Sequence, residues 1–385
     1  MNSSNKKKVM IMTNSLHGGG AEKVLRTILT YINTDQFDIT VYSMHDEDEG
    51  NKRQAGRICY GSVFGHYTGP SRVKRILSKP FSKFKGYMFN HCSSESFYRL
   101  FFHKKYDVEI AFIEGESTRI ISGSNNDSRK YAWVHIDLTE NPWTDFLYSG
   151  PEDEAEHYRR FDKVICVSES VRTAFLNKYC ISQDSVTVQY NPIDRNEILL
   201  KSKESINESS HDRFRMITVG RLVPQKGYDR LVHIAEELKS TGYQFEWVIL
   251  GDGAEKQSIC EAIHDKGLED CVLLLGYKDN PFPDIAESDL YVCTSRAEGF
   301  STSVSEAIIL GIPVVSTDCA GVVEIFGDEQ CGMIVENDAD ALLSAVKTVM
   351  DNHQLLKGYH EACMRRAEFF SLDKCMREIE GLIND

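Results

Sequence analysis

The chain has 385 residues, of which 41% are hydrophobic and 26% charged, and its formal net charge is -14. This is the composition of an ordinary globular protein, and the length is sufficient for two domains. The acidic total disfavours nucleic acid as the main partner, and the aliphatic runs are far shorter than the roughly 20 residues that a membrane-spanning helix needs.

The amino-terminal segment does not read as a secretory signal. Lys6, Lys7 and Lys8 precede a short apolar segment at 9–12, and the polar sequence Thr-Asn-Ser follows at 13–15, where a signal peptide would continue its apolar core. The eleven cysteines form no CxxC pair and no metal-finger spacing, so we interpret them as reduced core residues. These features predict a cytoplasmic chain.

Hydrophobic periodicity predicts alternating strands and helices from residue 9 onward. The first strand, at 9–13, is followed by a Gly-rich turn and by a helix in which apolar residues recur at steps of three and four between Ala21 and Ile32. A polar stretch at 201–213 later interrupts the pattern and is the best candidate for a domain boundary. Further strands of the first half are predicted at 39–43, 107–112, 131–135, 163–167 and 186–190.

The second half repeats the same alternation. Two successive runs of βα units predict an α/β fold with two parallel, doubly wound sheets. Because ligands bind at the carboxyl ends of the strands in such sheets, functional motifs are expected directly after strands, in a cleft between two facing domains. The strands of this half are predicted at 216–219, 245–250, 272–275, 290–293 and 313–317.

The charge is reversed over residues 52–105. This segment holds twelve Lys and Arg against the single Glu95, a charge of +11, which leaves -25 for the rest of the chain. Aromatic and aliphatic residues are interleaved with the cations, a pattern suited to an anionic membrane surface. A solvated helical face over a core would produce the same pattern.

A glycine-rich motif follows the first predicted strand. Gly18, Gly19 and Gly20 precede a helix, where glycines permit close backbone approach and the helix amino end presents N–H groups to an anion. The motif is not GxGxxG, which weakens a dinucleotide interpretation, and an ordinary turn would also need a glycine. Both a ligand contact and a plain turn remain open.

A charged motif follows the first strand of the second half, where Val-Gly-Arg-Leu-Val-Pro-Gln-Lys-Gly occupies 219–227. Arg221 and Lys226 could converge on an oxygen-rich anion such as a diphosphate. A surface Arg and Lys are commonly only solvated, so this motif alone does not establish a site.

Two carboxylates follow the fourth strand of this half. Gly299 permits a turn, and Glu298 and Glu306 could hold sugar hydroxyls at two points. The sequence Ser303-x-x-Glu306 also fits a capping box, which would give Glu306 a structural role instead.

His135 ends the predicted strand at 131–135 of the first half. Its imidazole could bond a substrate hydroxyl or a backbone carbonyl. A lone His is more commonly structural, and Asp137 beside it is equally ambiguous.

These motifs and several shorter ones occur in the order found in one family. They are Gly-Gly-Gly-Ala-Glu-Lys at 18–23, Val-Ser-Glu at 167–169, Tyr-Asn-Pro-Ile-Asp at 190–194, Val-Gly-Arg-Leu-x4-Gly at 219–227, Gly-Asp-Gly at 251–253 and Glu-Gly-Phe-x5-Glu at 298–306. Each motif alone is weak, but together they resemble the family 4 retaining glycosyltransferases of the GT-B fold over nearly the whole chain.

The resemblance implies a GT-B fold, in which two facing doubly wound Rossmann-like domains enclose an interdomain cleft. It implies an acceptor-side domain at 1–195 and a domain at 196–362 that binds the nucleotide-sugar donor. The remaining segment, 363–385, would be a helix that crosses back to the amino-terminal domain.

The resemblance also implies a role for each site residue. Arg221 and Lys226 would hold the donor diphosphate. Glu298 would contact the donor sugar, Glu306 the ribose, and a loop at 276–281 would bracket the nucleobase. The predicted catalytic residues are His135, Arg221, Lys226 and Glu298. The predicted donor-binding residues are Gly18, Gly19, Gly20, Gly220, Arg221, Lys226, Tyr277, Lys278, Glu298, Gly299, Phe300, Ser301 and Glu306.

No cofactor and no metal are expected beside the nucleotide-sugar donor. The one tempting Asp-x-Asp motif, at 338–340, opens a predicted helix, and we interpret it as N-capping. Fixed cations at the departing oxygen would stabilise the transition state in place of a metal. The resemblance implies transfer with retention by front-face attack on an oxocarbenium-like state, and a covalent glycosyl-enzyme is the alternative.

The implied activity is transfer of a hexose or N-acetylhexosamine from a UDP-sugar, with GDP as the second choice, to a glycan or a polyprenyl-diphosphate-linked acceptor. Such a reaction would serve surface polysaccharide synthesis, with the chain peripheral on the inner face of the membrane. Two alternatives are a GT-B sugar-nucleotide epimerase and an inactive nucleotide-sugar-binding scaffold of a polysaccharide assembly complex. The joint presence of five residues argues against the scaffold, namely His135, Arg221, Lys226, Glu298 and Glu306.

Overall fold

The computed structural model describes residues 6–44, 58–65, 72–125, 127–204 and 213–385. The chain divides into two compact units, Met1–Tyr190 with Cys375–Asp385, and Asn191–Lys374.

The first division falls at residue 190, ahead of the expected 195 and of the polar stretch at 201–213. The helix Arg195–Lys201 is bonded to the second unit, because Arg195 pairs with Glu368 at 2.9 Å and the Lys201 carbonyl accepts a hydrogen bond from Asn280 at 3.0 Å.

The first unit contains a seven-stranded parallel sheet. The strand order is β3-β2-β1-β4-β5-β6-β7. Its strands are β1 (Lys7–Thr13), β2 (Phe37–Ser43), β3 (Ile58–Ser62), β4 (Val108–Ala111), β5 (Arg129–Val134), β6 (Lys163–Cys166) and β7 (Val186–Val188). Its helices are α1 (Gly20–Tyr31), α2 (Arg72–His91), α3 (Ser94–Phe101), α4 (Glu116–Ile121), α5 (Pro151–Tyr158) and α6 (Glu169–Lys178).

The second unit contains a six-stranded parallel sheet with the order β10-β9-β8-β11-β12-β13. Its strands are β8 (Phe214–Val219), β9 (Phe245–Leu250), β10 (Val272–Gly276), β11 (Leu290–Cys293), β12 (Val314–Thr317) and β13 (Gly332–Val335). Its helices are α7 (Arg195–Lys201), α8 (Tyr228–Ser240), α9 (Lys256–Asp265), α10 (Phe282–Ala286), α11 (Thr302–Ile309), α12 (Val322–Phe326), α13 (Ala339–Met350) and α14 (His353–Arg366).

Both sheets are doubly wound, as predicted. The order reverses between β1 and β4 in the first sheet and between β8 and β11 in the second. In open α/β sheets ligands bind outside the carboxyl ends of the strands at such a reversal. The loops that follow β8 and β11 therefore border the expected ligand crevice of the second unit.

The central strands are covered on both faces. Val9 and Met10 of β1 and Val314 and Val315 of β12 are all fully buried. Parallel strands that are buried on both faces read as continuous apolar runs, which is why the sequence located them within one or two residues.

Two edge strands, β3 and β13, were not predicted, whereas the strands at the opposite edges, β7 and β10, were. All four residues of β13 and four of the five in β3 are only half-buried. An edge strand needs no continuous apolar run, because one of its sides has no neighbouring strand, and its sequence therefore carries a weak signal.

The expected single helix at 363–385 is interrupted. α14 ends at Arg366, a short 3-10 turn follows at Ala367–Phe369, and α15 covers Leu372–Asn384. Buried Met376, Ile379 and Ile383 form the apolar stripe of α15, whereas Met364 of α14 is exposed.

α15 is bonded to the first unit near β1 and α1. Lys7 donates to the carbonyl of Asn384 at 2.9 Å, and the backbone N–H of Asn33 donates to Glu380 at 2.8 Å. These contacts explain why Cys375–Asp385 belongs to the first unit. Within the described residues, none of these helices is both long enough and apolar enough to cross a bilayer.

Candidate active site

The loop after β8 is shaped by the loop after β9. Tyr228 donates its hydroxyl proton to the carbonyl of Gly220 at 3.0 Å, and the N–H of Leu222 donates to the carbonyl of Asp252 at 2.9 Å. A Cβ at Gly251 would lie 1.9 Å from the Gly220 carbonyl oxygen, so only glycine permits this approach. The Gly-Asp-Gly motif therefore packs against the turn that carries Arg221.

The loops after β8 and β11 are joined by several hydrogen bonds. The Thr294 hydroxyl donates to the carbonyl of Lys226 at 2.8 Å. The Gln225 amide donates to the carbonyl of Ala297 at 2.8 Å, and the N–H of Arg296 donates to the carbonyl of Gln225 at 2.7 Å. These bonds hold the two loops together at the reversal of the sheet order, and none of Gln225, Thr294 or Ala297 was predicted as a site residue.

Lys226 and Glu298 meet at this junction. The Lys226 ammonium donates to Oε1 of Glu298 at 2.6 Å, and the Ser295 hydroxyl donates to the same oxygen at 2.6 Å. Only 18% of the Lys226 side chain and 8% of the Glu298 side chain are exposed. The structure thus brings together two residues that were predicted separately, one for the diphosphate and one for the sugar.

Arg221 differs from Lys226 in its surroundings. Its side chain is exposed, and its guanidinium makes no hydrogen bond or ion pair with any of the described residues. A guanidinium presents five donors in a planar fork that matches phosphate oxygens. Arg221 is therefore available to an anionic ligand.

The capping-box interpretation of Glu306 is wrong. α11 begins at Thr302 with Ser301 as its N-cap, so Ser303 lies inside the helix and Glu306 lies beyond its first turn. Glu306 is buried, with 4% of the residue exposed. The first turn of α11 presents N–H groups, a favourable environment for an anion, directly after Gly299 and Phe300.

Shorter motifs that supported the resemblance position the backbone. Asn191 of the Tyr-Asn-Pro-Ile-Asp sequence donates to the carbonyl of Phe300 at 3.5 Å, and Asp194 caps α7. Ser168 of Val-Ser-Glu caps α6. The N-capping interpretation of the Asp-x-Asp sequence is confirmed, because Asp338 accepts the N–H of Ala341 at 2.9 Å at the start of α13.

The predicted nucleobase loop is held by an ion pair. Lys278 donates to both carboxylate oxygens of Asp284 at 2.8 and 2.9 Å, and Asp284 is almost fully buried. The side chain of Lys278 is thus engaged with α10, which leaves its backbone for a ligand. Tyr277 is 62% exposed.

The remaining predicted site residues belong to the first unit. Gly19 is the N-cap of α1, and Gly18 and Gly20 flank it. His135 follows β5, and its backbone N–H donates to Oε2 of Glu114 at 3.0 Å.

Nε2 of the His135 imidazole is positioned to accept a hydrogen bond. The ring packs against Phe112, and Nε2 is buried with no hydrogen-bond partner in the described part of the chain. Burial lowers the pKa of His135 to about 4, and a hydrogen bond to the backbone of Phe112 opposes this shift. The imidazole is therefore neutral near pH 7, and in the tautomer whose proton lies on Nδ1, Nε2 accepts a hydrogen bond from a ligand hydroxyl.

Glu114 supports His135 and was missed from the sequence. Its Oε1 accepts the indole N–H of Trp143 at 3.2 Å while Oε2 holds the backbone of His135. Burial raises the pKa of Glu114, and these two hydrogen bonds oppose the shift. Its position shortly after β4, at the carboxyl edge of the sheet, was the only available signal.

Two family models match consecutive parts of the chain. The model described as Glycosyltransferase Family 4 matches residues 18–197, and the model described as Glycosyl transferases group 1 matches residues 201–366. Together they account for most of the chain.

Individual proteins are similar over part or nearly all of the chain. An N-acetylgalactosamine-N,N'-diacetylbacillosaminyl-diphospho-undecaprenol 4-alpha-N-acetylgalactosaminyltransferase of Campylobacter jejuni is 28% identical over 96% of this chain and 98% of its own. A poly(ribitol-phosphate) alpha-N-acetylglucosaminyltransferase of Staphylococcus aureus is 27% identical over 60% of this chain and 46% of its own.

Solved structures share the fold. The crystal structure of HepE from Anabaena in complex with UDP and glucose has a TM-score of 0.76 at 19% identity, over 98% of this chain and all of that one. The two parallel-sheet units accordingly have the GT-B fold.

Proposed function

The chain belongs to the glycosyltransferases that combine a Family 4 domain with a group 1 domain, and on that premise we propose that it transfers a hexose or N-acetylhexosamine from a UDP-sugar, with retention. The proposed acceptor is a glycan or a polyprenyl-diphosphate-linked saccharide of surface polysaccharide synthesis. The observation that carries the proposal is the junction of Lys226, Glu298 and Ser295 at the order reversal of the second sheet. Arg221 lies in the same loop as Lys226 and has no partner among the described residues.

The relatives support the choice of donor and acceptor. The Campylobacter jejuni protein is named for N-acetylgalactosamine transfer to a saccharide on diphospho-undecaprenol, and the HepE structure contains UDP and glucose. We prefer UDP to GDP on this ground.

The charges of the site suit departure of a diphosphate. When the bond between the sugar carbon C1 and the diphosphate oxygen breaks, negative charge grows on that oxygen. Arg221, Lys226 and the amino end of α11 would stabilise this charge more strongly than the ground state. The acceptor oxygen bonds to C1, and its proton passes to the departing phosphate oxygen, which completes a front-face exchange.

We further propose that transfer needs no metal ion. Asp338 of the only Asp-x-Asp sequence considered as a metal motif is engaged as an N-cap. Arg221 and Lys226 supply two positive charges, which is the neutralisation that a divalent cation would otherwise give a diphosphate.

Nucleotide binding tests this site. We expect UDP, measured by calorimetry in EDTA, to bind more tightly than GDP or ADP. Arg221→Ala should weaken UDP binding about 10- to 100-fold, because a hydrogen bond to a charged group contributes roughly 1.5–3 kcal/mol. Arg213→Ala, at an exposed Arg that bonds the Asp270 carbonyl, is the matched control.

The outcomes separate the alternatives. Failure of every nucleotide to bind, or equal UDP binding by Arg221→Ala, would contradict the site. UDP-sugar binding without transfer to any acceptor would favour the scaffold, and conversion of the donor to its epimer without acceptor would favour the epimerase.

We propose that the exposed face of α2 binds a membrane surface. The structure separates the aromatic residues of the basic segment into two sets, because Phe89 and Phe97 are in the core whereas Phe81, Phe84 and Tyr87 are 53%, 47% and 59% exposed. The buried set fits the interpretation as a helical face over a core, and the exposed set supports the proposed membrane surface. Residues 52–57 and 66–71 lie outside the described part of the chain.

The surroundings of the exposed rings are basic. Lys79 and Lys83 are exposed near them, and α2 contains no Asp or Glu. The ammonium of Lys85 lies 5.1 Å from the centre of the Phe81 ring. Aromatic residues next to exposed lysines on one helix are typical of binding to an anionic lipid surface.

Vesicle flotation tests this surface. We expect the chain to float with phosphatidylglycerol vesicles at low salt but not with phosphatidylcholine vesicles. Phe81→Ser with Phe84→Ser should lower binding by at least about tenfold, because each inserted Phe contributes roughly 1.5–3 kcal/mol. Leu200→Ser, at a residue that is 72% exposed in the other unit, is the control. Flotation of the double variant at the wild-type level would contradict the proposed surface.

A further inference from the structure

Ser295 has a role in the site that goes beyond packing. We infer that Ser295 is a positioning residue that fixes Oε1 of Glu298 and thereby leaves Oε2 as the single acceptor for a hydroxyl of the donor sugar. The inference rests on the proposed function, because it assigns the means by which the same site distinguishes donor sugars.

The two oxygens of the Glu298 carboxylate have different surroundings. Oε1 accepts hydrogen bonds from Ser295 and from Lys226, each at 2.6 Å. Oε2 has no hydrogen-bond partner among the described residues, and it is not one of their fully enclosed unpaired atoms. Because a carboxylate oxygen is an acceptor only, Oε2 can accept from a hydroxyl but cannot donate to one.

Ser295 is itself held firmly. Only 2% of the residue is exposed, and its carbonyl accepts hydrogen bonds from the Thr317 hydroxyl at 2.6 Å and from the Cys319 thiol at 3.2 Å. Both donors lie at or just after the carboxyl end of β12, the neighbour of β11. The backbone of Ser295, which carries the hydroxyl that fixes Glu298, is therefore bonded to residues at the carboxyl end of the neighbouring strand.

Lys226 alone would not fix the carboxylate. In the proposed reaction its ammonium must also bind the donor diphosphate, which is a competing acceptor with a larger negative charge. The Ser295 hydroxyl has no such second task, so its bond to Oε1 persists when the donor binds. A carboxylate held at one oxygen by two donors presents the other oxygen in one direction, and that direction selects the configuration of a sugar hydroxyl.

The test compares Ser295→Ala with Ser288→Ala. Ser288 is also buried, but its hydroxyl donates to the backbone carbonyl of Asp284 at 2.8 Å and not to Glu298. We expect Ser295→Ala to lower kcat/KM for the preferred UDP-sugar by about tenfold or more and to reduce its preference over the sugar with one inverted hydroxyl. Ser288→Ala should change neither.

Binding of UDP alone separates the positioning role from general damage to the fold, because such damage would also weaken UDP binding. UDP lacks the transferred sugar, so its affinity should be unchanged in Ser295→Ala. Ser295→Thr, which keeps the hydroxyl, should restore the donor preference. Weaker UDP binding together with unchanged donor preference would overturn the inference.

A crystal structure of Ser295→Ala tests whether Ser295 positions Glu298, without a measurement of activity. The Glu298 side chain should move or occupy more than one rotamer, and an unmoved Glu298 would overturn the inference. If the wild-type chain transfers no sugar from any UDP-sugar, the proposed function fails, and this structural result still tests the role of Ser295.

Discussion

Lys226→Ala is expected to lower kcat/KM for sugar transfer by about 10²- to 10³-fold, the effect of removing one fixed group that stabilises developing charge. The reason is the position of Lys226, whose ammonium is partly buried at 2.6 Å from Glu298. Arg221, in the same loop, has no partner among the described residues. The variant loses a charge directed at the diphosphate, and it leaves Glu298 without its cation. Steady-state kinetics with a UDP-sugar would measure the loss.

The fold should survive this substitution, because Lys226 lies in the short turn Pro224–Lys226 and its carbonyl bond to Thr294 is retained. Lys239→Ala is the matched control, since Lys239 is exposed and pairs with Asp270 at 2.6 Å. A fully active Lys226→Ala enzyme would remove Lys226 from the site. Equal losses in the two variants would point to a general effect of charge.

Gly227→Ala is expected to lower both the stability and the activity of the protein. Gly227 has a φ of +67° and begins α8, and a Cβ there would lie 2.2 Å from the carbonyl oxygen of Thr294. The left-handed conformation alone costs an L-residue about 1–2 kcal/mol, and the backbone clash adds about 1–3 kcal/mol. The free energy of unfolding should therefore fall by roughly 2–5 kcal/mol, as measured by denaturation in urea.

Activity should fall with it. The clash pushes apart the loops after β8 and β11, which carry Lys226 and Glu298, and a displacement of about 1 Å at reacting groups can lower the rate about 10²-fold. Gly267→Ala isolates the cause, because Gly267 has a similar φ of +58° but open space around its Cβ position. Gly267→Ala should lose only the stability that the left-handed conformation costs, about 1–2 kcal/mol, and should keep full activity. Identical behaviour of the two variants would show that the approach of the two loops is unimportant.

The strands and the order of the motifs were predictable for a physical reason. Central parallel strands are buried on both faces, so residues such as 9–13 and 245–250 appear as apolar runs bounded by polar residues. The motifs that follow them could be assigned to the carboxyl edge of a sheet without any coordinates. The resemblance to a glycosyltransferase family then arose from the sequence of those motifs.

The supporting residues could not be predicted in this way. Ser295 and Gln225 are ordinary polar residues in loops, and Glu114 is one acid among many. Each acts through a hydrogen bond whose partner is fixed by folding, as when Glu114 bonds Trp143 29 residues away. The same dependence explains the capping-box error, because the start of α11 at Thr302 is determined by the turn before it rather than by Ser303.

By itself, the amino-acid sequence determined the class of fold, the positions of the buried strands and the residue types available at their carboxyl ends. These features could be predicted because each depends on the pattern of apolar and polar residues within one short segment. Only the tertiary structure decided which strands are neighbours and which loops meet. Lys226 and Glu298 are 72 residues apart in the chain and 2.6 Å apart in space. Such a contact exists only after β11 has paired beside β8, since that pairing brings the two loops to one edge of the sheet.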